Sequence, residues 1–180
     1  MSLVETKPVL RSAQVMRFVL LVIFGGICVI AAGLQGLLIS DHAALGRALA
    51  DMAGYDVVAP RLWQSGALVL ITLLHLAIWA AIAWRGQGMF DALLDADMAQ
   101  ASDAARRVAR LLWAMLIWGI LSHMLVSLVA TWHFPPGQRA LAVGVGSAQI
   151  STVMAALLAT FTSHAFVLGA ALWQDHREVI

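Results

Sequence analysis

Three histidines, each near the middle of a long apolar run, are the residues here whose type and placement could do chemistry: His75, His123 and His164. A neutral imidazole can ligate a metal through either ring nitrogen, and it titrates close to physiological pH. Each histidine also has a hydroxyl on its own helical face: Thr72 near His75, Ser127 near His123 and Thr160 near His164. Three chemistries follow. The imidazoles and hydroxyls can hydrogen-bond between helices and fix a bundle, at ~0.6–2 kcal/mol per contact. Two imidazoles on facing helices could hold a b-type haem axially, or three could hold a metal ion. A histidine path could carry protons or a small molecule. The first is the expectation, because no local motif links the three residues. The absence of Asp, Glu, Lys and Arg from the middle of any run counts against an ion pump or a secondary transporter.

The elements that would position these residues are four apolar runs, about 18–39, 67–84, 111–132 and 150–173. A bilayer core needs ~20 apolar residues per helical span. At ~1.5 Å rise per residue, His75 lies roughly 15 Å from Arg85, His164 about 16–17 Å from Asp175 and His123 about 20 Å from Arg110. All three therefore fall near a common midplane. The expected architecture is all-α: an integral membrane four-helix up-down bundle, one domain over 1–180, with short amphipathic interfacial helices in the connectors.

Composition agrees. Hydrophobic residues make up 62% of the chain and charged ones 12%, against about 45–50% and ~25% in soluble domains. The net charge of +1 offers no field to steer nucleic acid. The single cysteine, Cys28, excludes an intrachain disulfide, and Ile27 before it does not suit a lipoprotein cleavage site. The first run is longer than the ~7–15 residues of a signal-peptide core, so a retained helix is expected. Eight basic residues (Lys7, Arg11, Arg17, Arg85, Arg106, Arg107, Arg110, Arg177) fall on one side of the spans and three (Arg47, Arg61, Arg139) on the other. The positive-inside rule then puts both termini and the central connector in the cytoplasm of a bacterium, in its inner membrane. Trp84, Trp132 and Trp173 end three runs, as interfacial belts require.

The connectors carry weaker signals. Asp41 is a helix cap, followed by Ala44, Leu45, Ala48, Leu49 and Met52 at helical spacing, with Gly54 as the stop. In the central connector, Met89, Phe90, Leu93, Leu94 and Met98 predict a separate interfacial helix, then a break, then a third span capped by Ser102. The four aspartates 91, 95, 97 and 103 have no metal-loop spacing and read as a solvated face. His133-Phe134-Pro135-Pro136-Gly137 is a chain reversal, with His133 exposed; the chain from 140 to 173 is then apolar for longer than one span requires, so it bends at Gly144 and Gly146 or the helix tilts. Small residues predict the packing faces: Gly25, Cys28, Ala32 and Gly36 in the first run, Gly119 and Ser127 in the third, and Ala155, Ala156, Ala159 and Ser163 in the fourth. No phosphate loop, paired cysteines or His-Glu-x-x-His is present.

The stretch 90–118 (Phe-Asp-Ala…Ala-Ala-Arg-Arg-Val-Ala-Arg-Leu-Leu-Trp) and the ending Asp175-His176-Arg177-Glu178-Val179-Ile180 resemble the Domain of Unknown Function 2975 proteins. These are small bacterial four-span membrane proteins with no agreed activity, so the resemblance carries over no site. Its members are often encoded beside a small helix-turn-helix regulator, which implies a membrane sensor or a regulatory partner. The expected function is accordingly non-enzymatic: a regulatory or interaction protein of the membrane, without a cofactor. Its partners would be the lipid bilayer and a membrane or regulatory protein, with a homo-oligomer left open and nucleic acid excluded. The alternatives are a haem b- or metal-binding redox subunit using His75, His123 and His164, and a small-molecule carrier or channel.

Overall fold

The computed structural model describes residues 3–95, 97–135, 137, 139 and 141–178. Pro136 of the expected reversal and the closing Val179 and Ile180 lie outside the described residues, as do the side chains of Lys7, Trp173 and 175–178. The described chain is all-helical: α1 Leu3–Ser40, α2 His42–Met52, α3 Leu62–Leu94, α4 Met98–Ala130 and α5 Ser147–Glu178. Within α1, α3, α4 and α5 lie segments long and apolar enough to cross a membrane: Arg11–Ser40, Leu62–Leu94, Met98–Ala130 and Ser147–Gly169. By its contacts the chain forms two compact units, and every long helix contributes to both.

The first unit comprises Met1–Gly25, Ala80–Ala114 and Ser151–Ile180. Its α4 seam is built of small residues one turn apart, Ala101, Ala105 and Ala109, all buried, continued by Leu112. Such a seam lets helix backbones approach closely, which matters where lipid supplies little hydrophobic drive. Segment α1 meets α3 through Phe24 on Trp84 (5.5 Å between ring centroids), Leu20 beside Gly86, and an Arg17–Asp91 ion pair of 3.0 Å.

The central connector corrects the expectation of a separate helix. The pattern Met89–Leu94 stays in phase with α3, so α3 runs on through it to Leu94, and α4 begins at Met98. Asp97, not Ser102, caps α4: its carboxylate accepts the Gln100 N–H at 2.9 Å. Capping is decided at the first opportunity, and the Met-Ala-Gln-Ala that follows Asp97 is good helix sequence. Ser102 is buried within α4, with its hydroxyl turned back to the Ala99 carbonyl.

The second unit comprises Gly26–Trp79 and Met115–Ile150. Here α2 forms as expected: Asp41 accepts the Ala44 N–H at 2.9 Å, and Gly54 takes a left-handed φ of 82° just after the helix. Its buried face is Leu45, Gly46 and Ala50, so Ala44, Ala48 and Met52 of the expected stripe are exposed. Gly46 decides this register, because its bare backbone lies against Ser65 and Pro60 at the start of α3. Gln64 then ties α3 to α4: its Oε1 accepts the Arg61 N–H (2.9 Å), and its Nε2 donates to the Val129 carbonyl (3.1 Å). Trp63 packs edge-on to Trp132, over which the Arg139 guanidinium sits. The long final run is not one helix. Residues 141–146 are non-helical and α5 starts only at Ser147.

The small residues expected to pack α1 are exposed: Gly25, Cys28, Ala32 and Gly36. The partly buried positions are Leu20, Phe24, Ile27, Ala31, Leu34 and Leu38, an alternation of threes and fours that gives a continuous bulky ridge. On α5 the expected face holds, with Ala156 and Ser163 buried and Ala155 and Ala159 partly so.

Candidate ligand-binding cavity

A cavity of about 650 Å³ lies within the second unit. One wall is the α3 face carrying Thr72 and His75; the facing wall is α4 with Gly119, Ser122 and His123. The end of α2 contributes Leu49 and Met52, and the segment Gly144–Gly146 with Gln149 closes another side. No Asp, Glu, Lys or Arg is among its described lining residues.

Two of the three candidate histidines therefore share one cavity. His164 belongs to the first unit, where its side chain is exposed. Among the described residues, no group of three or more His, Cys, Asp and Glu is placed to hold a metal ion.

The hydrogen-bond accounting separates the polar groups around the cavity. Thr72 Oγ1 donates to Leu68 O (2.9 Å) and Ser122 Oγ to Gly119 O (3.0 Å). A helical hydroxyl reaches the carbonyl one turn back without leaving its own helix, and both have done so. They turn only oxygen lone pairs to the cavity. The hydroxyls expected to serve His123 and His164 behave the same way: Ser127 donates to Met124 O (2.8 Å) and Thr160 to Ala156 O (2.7 Å). None of these bonds joins a histidine to a hydroxyl.

His75 and His123, both partly buried, have no hydrogen-bond partner among the described residues. Gln149 Oε1 accepts the Gly146 N–H at 2.8 Å, a capping-box arrangement at the start of α5, which leaves its amide N–H₂ toward the α4 wall at Gly119. The cavity thus offers imidazole nitrogens and an amide donor in otherwise apolar surroundings. His123 is held from one side: its Cδ2–Nε2 edge lies against Gly144, where any Cβ would collide with the ring.

Sequence reasoning missed Ser122, Gln149 and the role of Gly144. The Gly146-Ser-Ala-Gln149 spacing was a signal for a helix start, obscured by reading 140–173 as one apolar run. Gly144 signalled a bend but not its contact with His123, which joins residues from different elements.

Compared with known proteins, the chain matches no family model, no curated protein and no solved structure. Four helices able to cross a membrane are compatible with a multi-pass membrane protein, and the chemistry of the cavity is the remaining guide to function.

Proposed function

We propose that the protein is a non-catalytic component of a bacterial cytoplasmic membrane, with both termini inside, that binds a neutral amphiphile in the His75–His123 cavity and acts through a regulatory or membrane partner. The observation that carries this reading is the pair of partly buried imidazoles without protein partners beside the Gln149 amide, in a cavity with no charged lining residue. These polar groups face the cavity and are free to hydrogen-bond a ligand bearing carbonyl or ether oxygens, whose apolar body would match Ile71, Val126 and Leu49. The absence of fixed charge favours a neutral ligand drawn from the membrane itself. The likeness of 90–118 to the Domain of Unknown Function 2975 proteins supports the regulatory side of the proposal.

The competing reading is an axial pair for haem b. Two histidines on one cavity favour it; the packing of the His123 Cδ2–Nε2 edge toward Gly144 counts against it, because ligation through Nε2 would need a turned ring. One preparation decides between them. Protein solubilised from its own membranes is expected to carry a neutral amphiphile by native mass spectrometry and to lose it in His75→Ala and His123→Ala. It should show no Soret band before or after dithionite. A Soret band with sharp reduced α and β peaks, lost in the same variants, would replace the proposal with a b-type cytochrome. A wild type that carries nothing beyond what the two variants carry would refute the cavity as a site.

A further inference from the structure

A second cleft, of about 250 Å³, lies within the first unit between the last turns of α3 and the first turns of α4. Arg85 enters it from α3 and Arg107 from α4; Trp84, Gln100 and Asp103 complete the polar lining. Among the described residues the ion pairs are Arg17–Asp91 and Arg106–Asp103, so neither Arg85 nor Arg107 is neutralised by a described carboxylate. Asp103 is shared with Arg106 at 3.9 Å, and both side chains are more than half exposed. The cleft therefore keeps a net positive charge.

Its place along the helices matters as much as its charge. Trp84 ends one apolar run and Arg85 follows it at once, while Arg107 and Arg110 stand directly before the next run at Leu111. Both guanidiniums thus sit where hydrocarbon gives way to headgroups. Guanidinium is a planar fork suited to bidentate binding of phosphate oxygens, and basic pockets between transmembrane helices at this depth bind phosphate headgroups.

We infer that the Arg85–Arg107 cleft is a phosphate-binding site, filled by the headgroup of an anionic phospholipid. Arg85 and Arg107 grip the phosphate from two antiparallel helices, the Gln100 amide adds a donor, and Trp84 covers the rim at the membrane surface. Asp103 works against binding, so removing its charge strengthens the site. That sign separates a phosphate site from a cation site, which would lose affinity instead. The inference is independent of the histidine cavity, which shares no residue with it.

The test uses the full chain in detergent, equilibrated with equal amounts of phosphatidylglycerol and phosphatidylcholine of the same acyl chains, with retained lipid counted by native mass spectrometry. The wild type is expected to retain phosphatidylglycerol at least fivefold over phosphatidylcholine. R85Q/R107Q should fall to near parity, D103N should rise above the wild type, and R61Q/R139Q, which alters the other group of basic residues, should match the wild type. Helical content by circular dichroism checks that each variant is folded, and the single variants R85Q and R107Q give intermediate ratios if the double one fails to fold. Inorganic phosphate distinguishes the source: a lipid site is insensitive to it at 10 mM, whereas full displacement assigns the cleft to a soluble phosphate and overturns the lipid assignment. Equal lipid ratios in wild type and R85Q/R107Q, with no effect of phosphate, overturn the site altogether.

Discussion

At the scale of single residues, the cavity depends on the Gly144–His123 contact. A methyl group on Gly144 has no room, because the imidazole ring already occupies the position of the Cβ. The ring must turn about its side-chain bonds into the cavity, or the 141–146 segment must move, to make room. Overfilling of this kind typically costs about 1–3 kcal/mol. Gly144→Ala is therefore expected to lower the thermal midpoint in detergent clearly and to reduce occupancy of the cavity. Gly119 is the internal control. It lines the same cavity, yet its Cβ would meet only Gln149 Nε2 at 3.8 Å, an ordinary contact. Within a helix, alanine is favoured over glycine by roughly 1 kcal/mol, so Gly119→Ala should leave the midpoint unchanged or raise it. If both variants melt alike, His123 is not confined as described.

At the scale of elements, the non-helical 141–146 segment is the part of the cavity wall without helical hydrogen bonds of its own. Gly146 is tied to the start of α5, and among the described residues the bond that ties the segment to α4 is the Ala142 N–H donating to Ser127 Oγ at 3.0 Å. Ser127 is fully buried and also donates to Met124 O. Ser127→Ala strands a backbone donor, at a cost of about 1–3 kcal/mol. Ser163 is nearly as buried, but its hydroxyl only turns back to Thr160 O, so Ser163→Ala should cost less. Hydrogen exchange should quicken at Ala142 and its neighbours in the Ser127 variant and not in the Ser163 variant; equal exchange in both would show that the bond does not hold the segment. This element also marks the limit of the sequence. The four long helices were legible because apolar runs of spanning length leave the backbone one way to satisfy its hydrogen bonds in lipid. The Asp41 cap and the Gly54 stop were legible because they act within a few residues. The α1 packing face was not. Both its small stripe and its bulky ridge have helical periodicity, and only the neighbouring helix chooses between them. Similar depth set His75, His123 and His164 at one level but left open which of them converge, because that depends on how each helix is turned about its axis.

At the scale of the whole molecule, the surface defines the solvent. Phe18, Val29, Ile117 and Phe161 are each more than three-fifths exposed, in the company of many other large apolar side chains. Soluble monomers rarely expose contiguous apolar patches beyond a few hundred Å², whereas lipid tails solvate such a surface at no cost. For direction across the membrane we propose, from charge, that both termini face the cytoplasm. Eight of the eleven basic residues lie at the ends of the helices shared by the N-terminus, the α3–α4 connection and the C-terminus. Retention of Lys and Arg on the cytoplasmic side then predicts that a fluorescent protein fused after residue 178, of a type that matures only in the cytoplasm, is bright, and that alkaline phosphatase at the same point is inactive. Alkaline phosphatase inserted in the 53–61 connector should be active. The reverse pattern at both points would invert the molecule. The inverted chain would keep its Arg85–Arg107 cleft but present it to the outer leaflet, so the same reporters also fix which leaflet must supply the phosphate.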